Sequence, residues 1–190
     1  MANTVTNVSA GKPAVAGAVH RALLSSNPTI PTAADATLTG YTALGYVSED
    51  GLTNTNSPDS DTIKAWGGDT VLVVQTEKSD EFQLTLVESL NAEVLKAIYG
   101  STRVTGAVST GLTVKATADD PEEAVWVIDM IMRGNVLKRI VIPDGKVSEI
   151  GEISYVDDEV VGYEITIQAL PDSTGVTHYE YIKQGSTSSN

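Results

Sequence analysis

The chain has 190 residues and a mass of 20.0 kDa, enough for one domain or at most two small ones. Twelve Lys and Arg against 25 Asp and Glu leave a net charge of −13, which argues against a protein that grips nucleic acid through its phosphates. The absence of cysteine excludes disulfides, thiolate metal sites and cysteine nucleophiles, and two histidines, His20 and His178, leave little material for imidazole chemistry.

Residues 1–40 are rich in Ala, Thr, Ser, Asn, Pro and Gly and poor in large apolar side chains. They read as an extended N-terminal arm or irregular strands rather than a folded unit, able to order on a neighbouring subunit. No apolar run reaches the 18 residues of a membrane helix, and the N-terminus lacks the basic stretch of a secretory signal. The chain is therefore expected to be made in a cytoplasm and to stay soluble there until it meets a partner. Tyr41 to Val47 reads as a short strand ended by Ser48-Glu49-Asp50-Gly51. The polar stretch that follows, to Lys64, reads as a long loop, and loops of that length in compact domains are usually functional.

Asp69 to Gln75 is a continuous apolar strand. Glu81 to Val87 has period two, with Phe82, Leu84 and Leu86 on one face and Glu81, Gln83 and Thr85 on the other. The two are expected to pair as a hairpin through residues 77–80. One helix follows, capped by Ser89 or Asn91 and stopped by Gly100, with Val94, Leu95, Ile98 and Tyr99 on a single face. After it the chain returns to strands: 112–117, 125–132, 136–142, 147–156, 161–169 and 177–182. Their turns are expected at Arg133-Gly134-Asn135, Pro143-Asp144-Gly145 and Asp157-Asp158-Glu159, and a polar tail at 184–190. The expected fold is mainly β: a single-domain antiparallel β-sandwich or barrel of about eight strands with one flanking α-helix.

No phosphate loop, dinucleotide fingerprint or nucleophile elbow is present. The carboxylates of Asp119-Asp120 with Glu122-Glu123, and those of the long loop, miss the calcium-loop spacing and read as solvated charge. No catalytic, cofactor or metal site is expected, and the protein is not expected to be an enzyme. A charge asymmetry remains. Asp119 to Glu180 contains fourteen acids against four bases.

Three segments, taken in order, resemble the major tail tube proteins of long, non-contractile-tailed (siphovirus-type) bacteriophages. They are Ala43-Leu44-Gly45-Tyr46-Val47-Ser48-Glu49-Asp50-Gly51-Leu52-Thr53, then Ile63-Lys64-Ala65-Trp66-Gly67-Gly68-Asp69-Thr70-Val71, then Leu90-Asn91-Ala92-Glu93-Val94-Leu95 ending Ile98-Tyr99-Gly100. Gly45, Tyr46, Trp66, Gly67, Gly68 and Gly100 carry the likeness. The resemblance implies a tail-tube-like β-sandwich whose sheets join those of neighbours in hexameric rings, stacked into a tube that conducts DNA during ejection. It also implies that residues 1–40 and a loop over 49–64 reach a neighbouring ring, with Asp50, Asn54, Asn56, Asp59 and Asp61 as loop contacts. Implied partners are further copies of the chain, the tape measure protein and the tail initiator and terminator proteins. Double-stranded DNA would pass without specific binding, and no membrane is involved. Place of action would be the virion tail, assembled in the host cytoplasm.

If four strands per subunit join, about 24 strands at about 4.8 Å give a wall roughly 115 Å around and a backbone diameter of roughly 37 Å before tilt, wide enough for duplex DNA. An acidic bore would not hold that duplex by counterion release. Glu149, Glu152, Asp157 and Glu164 are the candidates for facing it. Two other readings are weighed: a tail terminator or head decoration protein, which shares the acidity and β content, and a carbohydrate-binding β-sandwich, for which 5% aromatics is too few.

Overall fold

The computed structural model describes residues 3–14 and 17–186; of residues 6 and 77 it describes the backbone. Eleven strands and one α-helix follow in chain order: β1 (Lys12–Pro13), β2 (Val19–Leu23), β3 (Thr42–Ala43), β4 (Val47–Lys64), β5 (Thr70–Leu86), α1 (Ala92–Tyr99), β6 (Val104–Ala107), β7 (Gly111–Val114), β8 (Ala124–Met132), β9 (Val136–Ile150), β10 (Tyr163–Ala169) and β11 (Tyr179–Gln184). β6 and β7 form a small hairpin, and the other nine belong to one sheet in the order β3-β2-β8-β9-β10-β5-β4, with β1 on β8 and β11 on β9. Every pairing is antiparallel. The expected antiparallel β fold with one helix is what the chain adopts, and the sheet is not closed into a barrel.

The long strand β9 sets this architecture. Its first half pairs with β8 and β11, its second half with β10, and the change falls at residues 143–145. Sequence reading places a chain-reversing turn there. Instead the strand runs on through a bulge: β8 pairs with it before and after residues 143–144, while on the other edge β11 gives way to β10. Pro143 has no N–H to lose at such a point. Gly145 is required by space: a Cβ there would sit 2.8 Å from Trp126 and 3.0 Å from Ile167. At this bend the Trp126 indole N–H donates to the Gly145 carbonyl at 3.2 Å.

The two halves of the sheet share one core. Trp126 and Ile128 of β8, Ile140 and Ile142 of β9 and Val19 of β2 pack with Phe82, Leu84 and Leu86 of β5, Ile165 and Ile167 of β10, and Val94, Leu95 and Ile98 of α1. This is the alternation read from the sequence, with inward positions apolar and outward positions polar. The Asn91 side chain accepts from the Glu93 N–H at 3.0 Å and caps α1, while Gly100 (φ +102°) ends it. Val125, Val127 and Val141, on the other face of β8 and β9, are buried beneath Leu24, Leu38 and Tyr41.

That second burial separates the two readings of residues 1–40: from Val19 on they are a short strand and irregular chain packed on the sheet rather than an extended arm. Val19, Arg21 and Ala22 are buried in β2, which pairs with β8 along five residues. Residues 24–41 cover the sheet and are held by Arg139, buried beneath them. Its guanidinium donates to Asp129 at 2.6 and 2.8 Å and to the carbonyls of Ala33 and Ala36 at 3.2 and 2.6 Å. The segment is anchored by a few scattered large residues, Leu24, Leu38 and Tyr41, and by backbone carbonyls on Arg139, which is why composition alone missed its burial. Residues 1, 2, 15 and 16 of the expected arm, and 187–190 of the expected polar tail, lie outside the described residues. No described helix is long and apolar enough to cross a membrane.

Candidate functional site: an open sheet and a projecting ribbon

The largest departure from the sequence reading lies at 47–86. The polar run 49–64 is not a loop but β4, and the expected break at residues 77–80 does not occur, because β5 is one strand of 17 residues. The two pair from Val47↔Leu86 to Lys64↔Thr70. Ala65-Trp66-Gly67-Gly68 turns between them, with the Gly68 N–H donating to the Ala65 carbonyl at 3.0 Å. Gly67 (φ +116°) and Gly68 (φ +98°) are there because the turn needs left-handed backbone twice in succession. Polar side chains hid the strand, since a ribbon exposed on both faces shows no apolar alternation.

The inner third of this hairpin belongs to the core, and the rest projects. From Asp80 to Thr70 the ribbon advances about 33 Å at ordinary strand rise. Ile63, Val71, Leu72 and Val73 are all exposed on it, and Trp66 at its tip is 105% exposed. An isolated two-stranded ribbon is marginal in water. Its exposed apolar side chains have no partner within the described chain.

Where the ribbon leaves the body, Asp80 is fully buried (0% exposed) and its carboxylate is a hub. It accepts from Asn54 Nδ2 at 2.9 Å and from Thr177 Oγ1 at 2.5 Å, and lies 2.6 Å from His178 Nδ1. The His178 ring meets Phe82 edge-on at 5.2 Å. Burial alone would raise the Asp80 pKa, but the hydrogen bonds from Thr177, Asn54 and His178 outweigh it and hold the carboxyl below its ordinary value. Strand β4, strand β5 and the segment before β11 are thus tied at one point. Sequence reading places Asp80 in a turn and Asn54 in a free loop; an acid in the charged run Glu77-Lys78-Ser79-Asp80-Glu81 gives no signal of such burial.

Four strands, in the order β4-β5-β10-β9 (second half), make a surface with its own polarity. Its inner face is the core. Its outer face carries Thr53 and Thr55, Glu81, Gln83 and Thr85, Glu164, Thr166 and Gln168, then Glu149 and Lys146, placed opposite one another by the register. Gln83 Nε2 donates to Glu164 at 2.5 Å, and the one cation, Lys146, is paired with Asp120 at 3.1 Å. Both edges of this four-stranded surface are open among the described residues: β4 pairs only with β5, and residues 146–150 of β9 pair only with β10.

The predicted site residues separate on this frame. Glu149 and Glu164 lie on the outer face together with Glu81, which the period-two reading of β5 had already turned outward. Glu152 and Asp157 do not join them; they are exposed on the connection 151–162, where a strand to residue 156 was expected. Asp59 and Asp61 are exposed on the ribbon, Asn56 sits opposite Asp80 at its root, and Asn54 is committed to Asp80. Asp50 lies in a bulge, since Val47 pairs with Leu86 and Leu52 already with Leu84, and Gly51 takes φ +74° there. Gly45 (φ +74°) lies against Glu88: a Cβ would stand 2.0 Å from the carboxyl carbon, whose oxygen accepts from the Tyr46 N–H at 3.0 Å.

No group of three or more metal-ligating side chains converges among the described residues. No curated protein matches the chain in sequence. The sequence profile of the phage tail tube protein family matches residues 6–189, which takes in every strand from β1 to β11 and the ribbon between them. The chain therefore belongs to the phage tail tube protein family and is a structural protein of the virion tail.

Proposed function

We propose that the four-stranded surface β4-β5-β10-β9 joins its counterparts edge to edge in hexameric rings, and that its outer face lines the bore through which DNA leaves. The observation that carries this is a sheet with an apolar inner face, a polar outer face and two unpaired edges. Four strands alternate in direction, so the β4 of one copy meets the β9 of the next antiparallel, and an unbroken antiparallel barrel results. Six copies give the same strand number and bore as the family resemblance, close to 37 Å of backbone diameter before tilt. The two edges are different surfaces, so the contact is head-to-tail and closes by rotation.

The bore face presents Glu81, Glu149 and Glu164 among threonines and glutamines, with Lys146 neutralised by Asp120. Such a wall releases no counterions from a passing duplex and does not bind it. The ribbon, with its exposed apolar residues, reaches a neighbouring ring. The tape measure protein fills the bore before ejection, and initiator and terminator proteins bound the tube.

Cryo-electron microscopy of the purified protein, polymerised on its tail initiator, tests this. Hollow tubes with Glu149 and Glu164 on the inner wall are expected. A tube whose bore is lined by β8 and β2, or a channel dominated by Lys and Arg, would overturn the assignment. Replacing Glu81, Glu149 and Glu164 together by Lys is expected to leave tubes intact but make them retain duplex DNA at low salt and release it at high salt.

A further inference from the structure

We propose that Trp66 of one copy seats in a groove of another copy, between the N-terminal segment and the far end of β8. This rests on the reading of the protein as a polymerising subunit, and it names the contact that the ribbon makes. The groove has a volume of about 630 Å³ and is lined by Val8, Ala10, Lys12, Ile131, Met132 and Arg133. Val8, Ser9, Ala10 and Lys12 form one wall, tied down where the Arg133 N–H donates to Ser9 Oγ at 2.6 Å and β1 pairs with β8.

Its chemistry suits an aromatic side chain carried on an acidic strand. Met132 offers a thioether and Ile131 an aliphatic side to an indole. Lys12 and Arg133 are cations at its rim, and among the described residues neither has a carboxylate within ion-pair distance. A cation over an indole face is the strongest of the aromatic–cation pairings. The outer ribbon brings Trp66 with Asp59, Asp61 and Asp69 against a single Lys64. Shape, apolarity and charge sign are thus complementary.

The occupant is a second copy. Trp66 is fully exposed, so it does not occupy the groove of its own chain. The two features also sit on different extensions of the fold. The ribbon runs out beyond Asp80, whereas the groove lies at the Met132↔Val136 end of β8–β9, eight residues from the bend at Ala124↔Gly145. A knob and a hole in different places on one chain make a head-to-tail contact, which propagates from copy to copy. A buried Trp at the centre of such a contact is the usual site of dominant binding energy.

The chain has no cysteine and two tryptophans, of which Trp126 is fully buried, so Trp66 can be followed cleanly. A double variant Ala65→Cys, Val8→Cys is assembled and oxidised. A ladder of disulfide-linked chains on a non-reducing gel is expected, absent from either single variant, and Trp66 emission is expected to move to the blue on assembly. Trp66→Ala is expected to raise the protein concentration needed for polymerisation about tenfold or more. Lys12→Glu with Arg133→Glu is expected to do likewise, and Asp61→Lys with Asp69→Lys to recover part of the loss. Tubes that form without the ladder and with unshifted Trp66 emission would overturn this contact while leaving the tube reading intact. Failure of the unmodified protein to polymerise with its initiator would overturn both.

Discussion

Replacing Asp80 by Ala removes the acceptor that joins three parts of the chain. Asn54 Nδ2, Thr177 Oγ1 and His178 Nδ1 lose a carboxylate at 2.9, 2.5 and 2.6 Å. Each such charge-assisted bond is worth about 1.5–3 kcal/mol, but the three share one acceptor and do not add. Removing one partner from a buried charged cluster typically costs about 3–5 kcal/mol, because the others stay buried and unpaired. For a domain of this size each kcal/mol lowers Tm by about 2–4 °C, so a fall of about 6–20 °C is expected. The assay is urea and thermal unfolding of the unassembled protein, followed by the buried Trp126. Asp80→Asn keeps one acceptor oxygen and the shape, and is expected to lose less than half as much. A loss of under 1 kcal/mol for Asp80→Ala would refute the reasoning, since it would mean the hub carries no net stability.

Gly45→Ala puts a Cβ into the Glu88 carboxylate and demands a left-handed backbone, so a loss of about 1–3 kcal/mol in urea unfolding is expected, with the Tyr46 amide losing hydrogen-exchange protection. Arg139→Ala leaves Asp129 without its partner and releases residues 33–36; about 3–5 kcal/mol is expected, with proteolysis appearing within 24–41 before the body is cut. Acid should weaken the fold in two stages. Burial pushes the His20 imidazole down, with Asp129 only partly restoring it, so the unfolded chain takes up the proton first and stability falls as pH drops below about 6.5. Asp80 and Glu122 are held below the ordinary carboxylate range, the latter by Ser101 and Arg21 against its own burial, so their contribution is complete above that range and is lost as pH falls through it. Urea midpoints from pH 8 to 3 check both stages, and His20→Gln should abolish only the first.

Most of the body was legible because its strands are wet on one side. Phe82, Leu84 and Leu86 in β5 and Tyr163, Ile165 and Ile167 in β10 declare a buried face by period two, and Asn91 and Gly100 declare the ends of α1. The failures share a cause: burial supplied by a partner that sequence does not identify. β2 lies between β3 and β8 although its Val19-His20-Arg21-Ala22-Leu23 has no alternation, because Arg21 is accommodated by Glu122 at 3.2 Å and by the ring of Trp126. Pro143-Asp144-Gly145 looks like a turn, yet β8, pairing before and after it, makes it a bulge. β4 looks like a loop because its outer residues face water in the single chain. Of the four acids named as bore candidates, Glu149 and Glu164 lie on the outer face, whereas Glu152 and Asp157 lie off the sheet because the chain leaves β9 at Ile150.

β5 links the two surfaces on which assembly would depend. Its first half puts Val71 to Val74 into water on the ribbon; its second half gives Phe82, Leu84 and Leu86 to the core and Glu81, Gln83 and Thr85 to the proposed bore. The proposed docking of the ribbon on another copy would therefore fix the register of the same strand that orients β4, the edge proposed to meet a neighbour. That edge is not an open invitation in the free chain. The bulge at residues 48–51 interrupts its ladder, Gly51 twists it and Glu49 and Asp50 charge it, all of which are known ways of keeping an exposed strand from pairing indiscriminately. An edge blunted in this way joins its counterpart slowly on contact alone and efficiently when a second contact holds the copies in register. On the proposal that the ribbon docks on another copy, it would supply such a contact, and growth on an existing assembly would outrun spontaneous pairing of free subunits.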